Sequence, residues 1–473
     1  MKLRPIHLLI SIAGIGGAGI FGWPLIAARF TGFSEYAATV EDDYAKIEAA
    51  GFPLDAKSFA ASFAVPETEN NGEPLRREFI RLDRFVSELN KASPNKNNSE
   101  YPSPQSILTR TNFSYYKRNA PTLEERLQLF SMARPYIDRI ISKSAKPHYI
   151  IRSNWQEMDE DYRDISGLLL AAKCLIAEGV LFAQQGKREL SIKNFRLAAR
   201  LCSLIGTKNS DYHYEYQTVV AKTFAESIID CALLDPEGAP LYKSILKEIE
   251  FCPDGRLVHF EAFRLAALLR ENSTSNLYQT LARIHEYEPN TSIPQRVLTP
   301  PSDRDLPTDP FARPMLAFSL RQYAPVLKSV SPDGAVSDQV EFHAESSRFI
   351  AAVQAEMGPI GFFHGRLAGN FTYQIERRNK TKNLLELADS VMTVLQFRLK
   401  NRRWPDSLSS AGVHSAHPAK VGYRKRGPNV HIWSIDAVGE NGTGVTRYSK
   451  YERIELELAP QVNPHEVRLY PVK

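Results

Sequence analysis

Apolar residues along this chain recur mainly at helical spacing. From Thr122 to about Glu288, Leu, Ile, Val, Phe and Ala return every three or four residues, the period of one helix face. Residues 165–185 read as one amphipathic helix, Gly186 breaks it, residues 189–205 read as the next, and Gly206 stops that one. Two helices with so short a connection make a helical hairpin. Further helices are expected near 216–234, 241–249, 257–270, 275–288 and 315–327, and over 338–356, where Gly358-Pro359 ends the helix. A long amphipathic stretch at 370–399 sets Leu384, Leu387, Val391, Val394 and Leu395 on one stripe. After Trp404-Pro405 the period shortens to that of strands, at 420–424, 430–435 and 453–458, as in a small antiparallel sheet. The opposite end shows no period at all. Residues 6–28 contain no Asp, Glu, Lys or Arg, and 23 such residues would span about 34 Å as a helix. The expected fold class is therefore mainly α: an N-terminal transmembrane helix, an extracytoplasmic body of packed helical hairpins, and a small C-terminal α+β unit with an antiparallel sheet.

The segments divide at changes of texture. Residues 1–5 read as a cytoplasmic tail, 6–28 as the anchor, and 29–89 as a juxtamembrane helical segment. Residues 90–121 open on an Asn-, Ser- and Pro-rich run and read as a linker. Residues 122–290 form the helical-hairpin domain, 291–314 a Pro-rich loop, 315–369 a helical continuation, and 370–473 the long helix with its β-tail. Lys2 and Arg4 before the anchor favour an N-terminus in the cytoplasm. That makes a single-pass protein of the bacterial inner (cytoplasmic) membrane with its bulk in the periplasm. A cleaved signal peptide is the rival reading of the same run.

Composition adds little. Hydrophobic residues are 43% and charged residues 24%, which allows a real core. The net charge of +5 over 473 residues is mild and implies no nucleic-acid partner. Its distribution is uneven: residues 366–426 hold 13 Lys and Arg against 4 Asp and Glu. A basic C-terminal third is available to an anionic surface; a solvated helix face has the same composition. Cys174, Cys202, Cys231 and Cys252 have neither CxxC nor zinc-site spacing. Three of them lie in apolar helical runs, where Cys acts as a small core residue.

Motifs for chemistry are absent from the sequence: there is no HExxH, GxSxG, P-loop or GxGxxG. His343 and Glu345 are two apart and do not face each other on a helix. His414, His417 and Asp406 share a loop, and an acidic run from Glu157 to Asp164 precedes the helix at Ile165, where negative charge favours a helix start. Gly179, Phe182, Ser191, Phe195 and Ala198 fall at tetratricopeptide spacing, although His213 occupies the next repeat's Gly position. No cofactor is expected.

The C-terminal order is more distinctive. Asn401-Arg402-Arg403-Trp404-Pro405-Asp406-Ser407-Leu408 is followed by Gly422-Tyr423-Arg424, by Ile432-Trp433-Ser434-Ile435 and by Gly439-Glu440-Asn441-Gly442-Thr443-Gly444. This resembles the segment after the long helix in type II secretion pseudopilins. With the anchor and helical middle, it also resembles uncharacterised membrane-anchored helical proteins of Planctomycetes and Verrucomicrobia. The chain departs from pseudopilins in having about 340 residues between anchor and long helix, and no prepilin cleavage signature. The resemblance implies a calcium loop formed by Asp436, Glu440 and Asn441. Calcium takes six to eight oxygens, so carbonyls or waters must complete the set, and a glycine-rich turn explains the same residues. The expected function is a protein-binding or scaffold module of the cell envelope, with an envelope protein as partner. The alternatives are an envelope hydrolase or a component of a secretion or pilus-like assembly. Within the tail, Trp433 and Ile435 are expected to face inward together, two apart along one strand.

Overall fold

The computed structural model describes residues 39–62, 64–93, 101–111, 119–150, 162–206, 211–270, 312–332, 334–413, 421–426, 429–434, 454–458 and 469–471. It is mainly α-helical. The helices are α1 (Val40–Ala49), α2 (Ala56–Ala61), α3 (Gly72–Ala92), α4 (Pro104–Thr109), α5 (Leu123–Lys143), α6 (Tyr162–Gln184), α7 (Arg188–Ile205), α8 (Asp211–Leu234), α9 (Ala239–Leu246), α10 (Asp254–Arg270), α11 (Ala312–Lys328) and α12 (Gln339–Asn401). The strands are β1 (Val421–Arg426), β2 (Asn429–Ser434), β3 (Ile454–Leu458) and β4 (Leu469–Pro471). The expected anchor at 6–28 and the expected helix at 275–288 lie outside the described residues. Gly358-Pro359 does not end a helix as expected: α12 runs through it, joining the two stretches read separately at 338–356 and 370–399.

The chain makes two compact units, each drawn from two stretches of sequence: Met1–Phe63 with Pro253–Thr372, and Ala64–Cys252 with Tyr373–Lys473. In the first unit α11 packs on α10 and α1, and α2 packs on α10. Phe59 stacks on Phe263 at 3.9 Å between ring centroids. The buried His259 ring meets Phe52 and Phe59 edge-on and lies 3.1 Å from the Pro53 carbonyl oxygen. Arg321 donates to Asp43 at 2.9 Å, joining α11 to α1.

The second unit is built around α6. By length and composition Ile165–Gln184 could cross a membrane, yet 72% of that window is buried inside the protein. Helices α3, α4, α5, α7 and α8 all pack on it. An amphipathic helix was expected here. The helix is apolar on most of its circumference because protein covers most of its circumference. Gly167 allows α6 to cross α3 closely, since a Cβ there would lie 2.1 Å from the Phe79 carbonyl oxygen on α3.

Local chemistry fixes the flanking elements. Thr122 and Glu125 form a reciprocal capping box that starts α5. Ser103 caps α4 and Pro104 occupies its first turn, so within 90–121 a short helix buries Ile107 and Leu108. The tail is an antiparallel sheet in the order β1-β2-β3-β4, with Tyr423 opposite Ile432 and Val430 opposite Leu458. Among the described residues its buried apolar side chains are Val421, Val430 and Ile432, which join Leu384, Leu387, Val391, Leu395 and Trp404 in the core of the helical unit. The expected inward pair, the Trp433 side chain and Ile435, lies outside the described residues. Trp404 covers the end of α12, Arg398 lies 4.0 Å over its ring, and the Tyr423 hydroxyl donates to the Pro405 carbonyl at 2.5 Å.

Candidate functional site

An open groove of about 490 Å³ runs between α5 and α6 in the second unit. The α5 wall carries Leu127, Phe130, Ser131, Arg134, Pro135 and Asp138; the α6 wall carries Glu178 and Phe182. The helical period produces the α5 wall, because residues 127, 130, 131, 134 and 138 follow one stripe. One end is apolar: Leu127 is 40% exposed, Phe182 is half-buried, and Leu123, one turn earlier, is 52% exposed. The other end is ionic and tied down. Arg134 donates to Asp138 at 2.8 Å and to Glu178 at 2.9 Å, and Asn194 of α7 donates to Glu178 at 2.7 Å. Glu178 thereby links three helices, and Arg134 is held across the floor rather than swinging in solvent.

The residues at tetratricopeptide spacing support this wall from behind. A Cβ on Gly179 would lie 3.1 Å from the Phe195 ring, so the glycine lets α6 and α7 close on an aromatic side chain. Ser191 is buried and within 3.2 Å of the Tyr242 hydroxyl, Ala198 is buried, and Phe182 lines the groove itself.

Other groups singled out from sequence are not brought together. Asp436, Glu440 and Asn441 lie outside the described residues, as do His414, His417 and the run 157–161. Asp406 accepts from Arg403 at 3.1 Å and from Lys425 at 2.9 Å, two contacts that hold its carboxyl below the usual range. Among the described residues no cluster of three His, Cys, Asp or Glu is placed to hold a metal ion. All four cysteines are free and buried, and burial pushes the Cys202 thiol up to about 12, far from a reactive thiolate.

Sequence reasoning missed two buried ionic centres. Glu78 on α3 accepts from Lys143 at 2.6 Å, Arg81 at 2.9 Å and Arg139 at 3.2 Å. Arg378 on α12 is wholly buried; it donates to the carbonyls of Cys252 and Tyr214 and to Gln217, and its guanidinium lies 3.1 Å over the Tyr214 ring. Neither has a signature in sequence, because each is completed by residues far along the chain. Asp230, half-buried on α8, is pushed up to about 6 by burial and then by Glu226; neither acid lines the groove.

Compared with models of protein families, with curated proteins and with solved structures, the chain matches none.

Proposed function

We propose that this is a single-pass, membrane-anchored protein of the bacterial cell envelope whose helical body binds a segment of another envelope protein in the α5–α6 groove. The observation that carries the reading is the groove's division into an open apolar end, at Leu127 and Phe182, and a rigid ionic end, at Arg134, Asp138 and Glu178. An apolar side chain of the partner would fill the first end, and the fixed charges of the second would set its register. The charge-free run at 6–28, with Lys2 and Arg4 before it, supports the anchor and its orientation.

The test is capture from solubilised envelopes by the full chain. A photoreactive side chain introduced at Leu127 should crosslink to a discrete partner, and Leu127→Arg should abolish capture while the thermal transition is kept. Capture undiminished by Leu127→Arg, or crosslinking to lipid alone, would refute the groove. Extraction of the full chain from membranes by alkaline carbonate would refute the anchor.

A further inference from the structure

The C-terminal end of α12 carries more than its fold requires. Directly after Asn401 the chain turns through Arg402 at φ 54°, the left-handed position that glycine takes most readily after a helix. Among the described residues Arg402 is the only non-glycine with positive φ. Arg402 and Lys400 are exposed, and among the described residues neither side chain has a hydrogen-bond or ion-pair partner. Beside them Arg403 and Lys425 share the single carboxylate of Asp406. Leu399, immediately before Lys400, is 48% exposed. Cations at a helix C-terminus are ordinarily explained by the carbonyls they face. That explains charge here, but neither an arginine where glycine would be unstrained nor a leucine left in water among lysine and arginine.

We propose that this corner docks on a surface of anionic lipid headgroups. Lys400 and Arg402 take the phosphates, Arg403 and Lys425 flank them, and Leu399 enters below headgroup level. The exposed leucine selects lipid over nucleic acid: a phosphodiester backbone would satisfy the cations and offer nothing to Leu399, whereas an interface takes both. Each Lys or Arg at an anionic surface contributes about a fivefold gain in association. The inference rests on the proposed anchor only for keeping the corner near a membrane.

The test uses the full chain reconstituted into vesicles of phosphatidylcholine, with or without phosphatidylglycerol. A fluorophore on Asn401→Cys reports the corner, the four native cysteines being buried, and nitroxide-bearing lipid acyl chains serve as quencher. Quenching is expected in anionic vesicles only, and should be lost in high salt. Lys400→Gln with Arg402→Gln should weaken it at least fivefold. Arg402→Gly should raise the melting temperature while weakening quenching, an opposition that a purely structural Arg402 would not produce. Absence of quenching in anionic vesicles, equal quenching in neutral ones, indifference to the double variant, or release by added RNA would each overturn the proposal. Retention in neutral vesicles after carbonate reads the anchor separately. Its loss with anionic quenching intact would sink the anchor and leave the corner standing.

Discussion

Glu78→Gln should destabilise the helical unit by about 2–3 kcal/mol at neutral pH. Glu78 is 1% exposed on α3, and two of its three cations, Arg139 and Lys143, come from α5. A glutamine keeps the shape but loses the charge, and its amide NH2 turns one acceptor into a donor facing a cation. The full penalty of orphaning buried ions does not apply, because Arg81, Arg139 and Lys143 are 58%, 44% and 40% exposed and can return to water. What is lost is the surplus of three charge-assisted bonds over hydration, about 1 kcal/mol each at such exposure. The pH dependence gives the sharper test. Burial alone would raise the Glu78 carboxyl, but the bonds from Lys143 and Arg81 outweigh it and hold the group below its ordinary value. A carboxyl with a depressed folded-state pKa stabilises the fold above its unfolded value, about 4.3, and that contribution is withdrawn as pH falls through the folded value. Denaturant unfolding of the detergent-solubilised full chain, followed by circular dichroism, should show the gap between parent and variant closing below about pH 4. A shift under about 0.5 kcal/mol at pH 7, or a gap that survives unchanged at pH 3, would refute the reasoning.

Three further outcomes follow from single contacts. Gly167→Ala should cost about 3 kcal/mol in the same assay, because its new Cβ would collide with backbone of α3 rather than with a movable side chain. Trp404→Ala should cost about 3–5 kcal/mol, read as a lowered thermal transition, since the ring is 5% exposed and closes the core between α12 and the sheet. Burial lowers the His259 pKa to about 4, so the unfolded chain binds a proton that the folded ring refuses, and the first unit should lose stability as pH falls from about 6.5 to 4. His259→Gln should flatten that slope, measured by hydrogen exchange of α10 amides; an unchanged slope would mean that another group carries it.

The helices were legible where their local signals agree. The break at Gly186 and the Leu384–Leu395 stripe each specify structure within a few residues. What was not legible depends on residues distant in sequence. The groove pairs Arg134 with Glu178, 44 residues on, and nothing local in either residue announces the other. Each compact unit is drawn from two separated stretches, and texture changes along a chain cannot show which stretches return to meet. On β2, Val430 and Ile432 reach the core, and strand spacing alone does not say which alternate set turns inward. The spacing of Gly179 and Phe195 did announce a close helix pair, because a missing Cβ opposite an aromatic ring is a packing requirement that spacing alone encodes.

Two stretches of this chain are apolar enough to cross a membrane, and hydropathy cannot rank them. Surroundings can. Residues 165–184 carry Lys173 and Glu178. Glu178 is held by Arg134 and Asn194 at the groove, and five helices cover most of the remaining surface. Withdrawing α6 into lipid would strip Leu75, Phe79, Leu82, Ile192 and Phe224 of the core they share with it. The carboxylate of Glu178 would also enter a medium where a charge at mid-helix is costly. Residues 6–28 have no charge to strand, and basic residues stand just before them. The same apolar character thus serves a core at 165–184 and, on the proposed reading, an anchor at 6–28. The discriminating feature is whether polar side chains in the run have fixed partners within the protein.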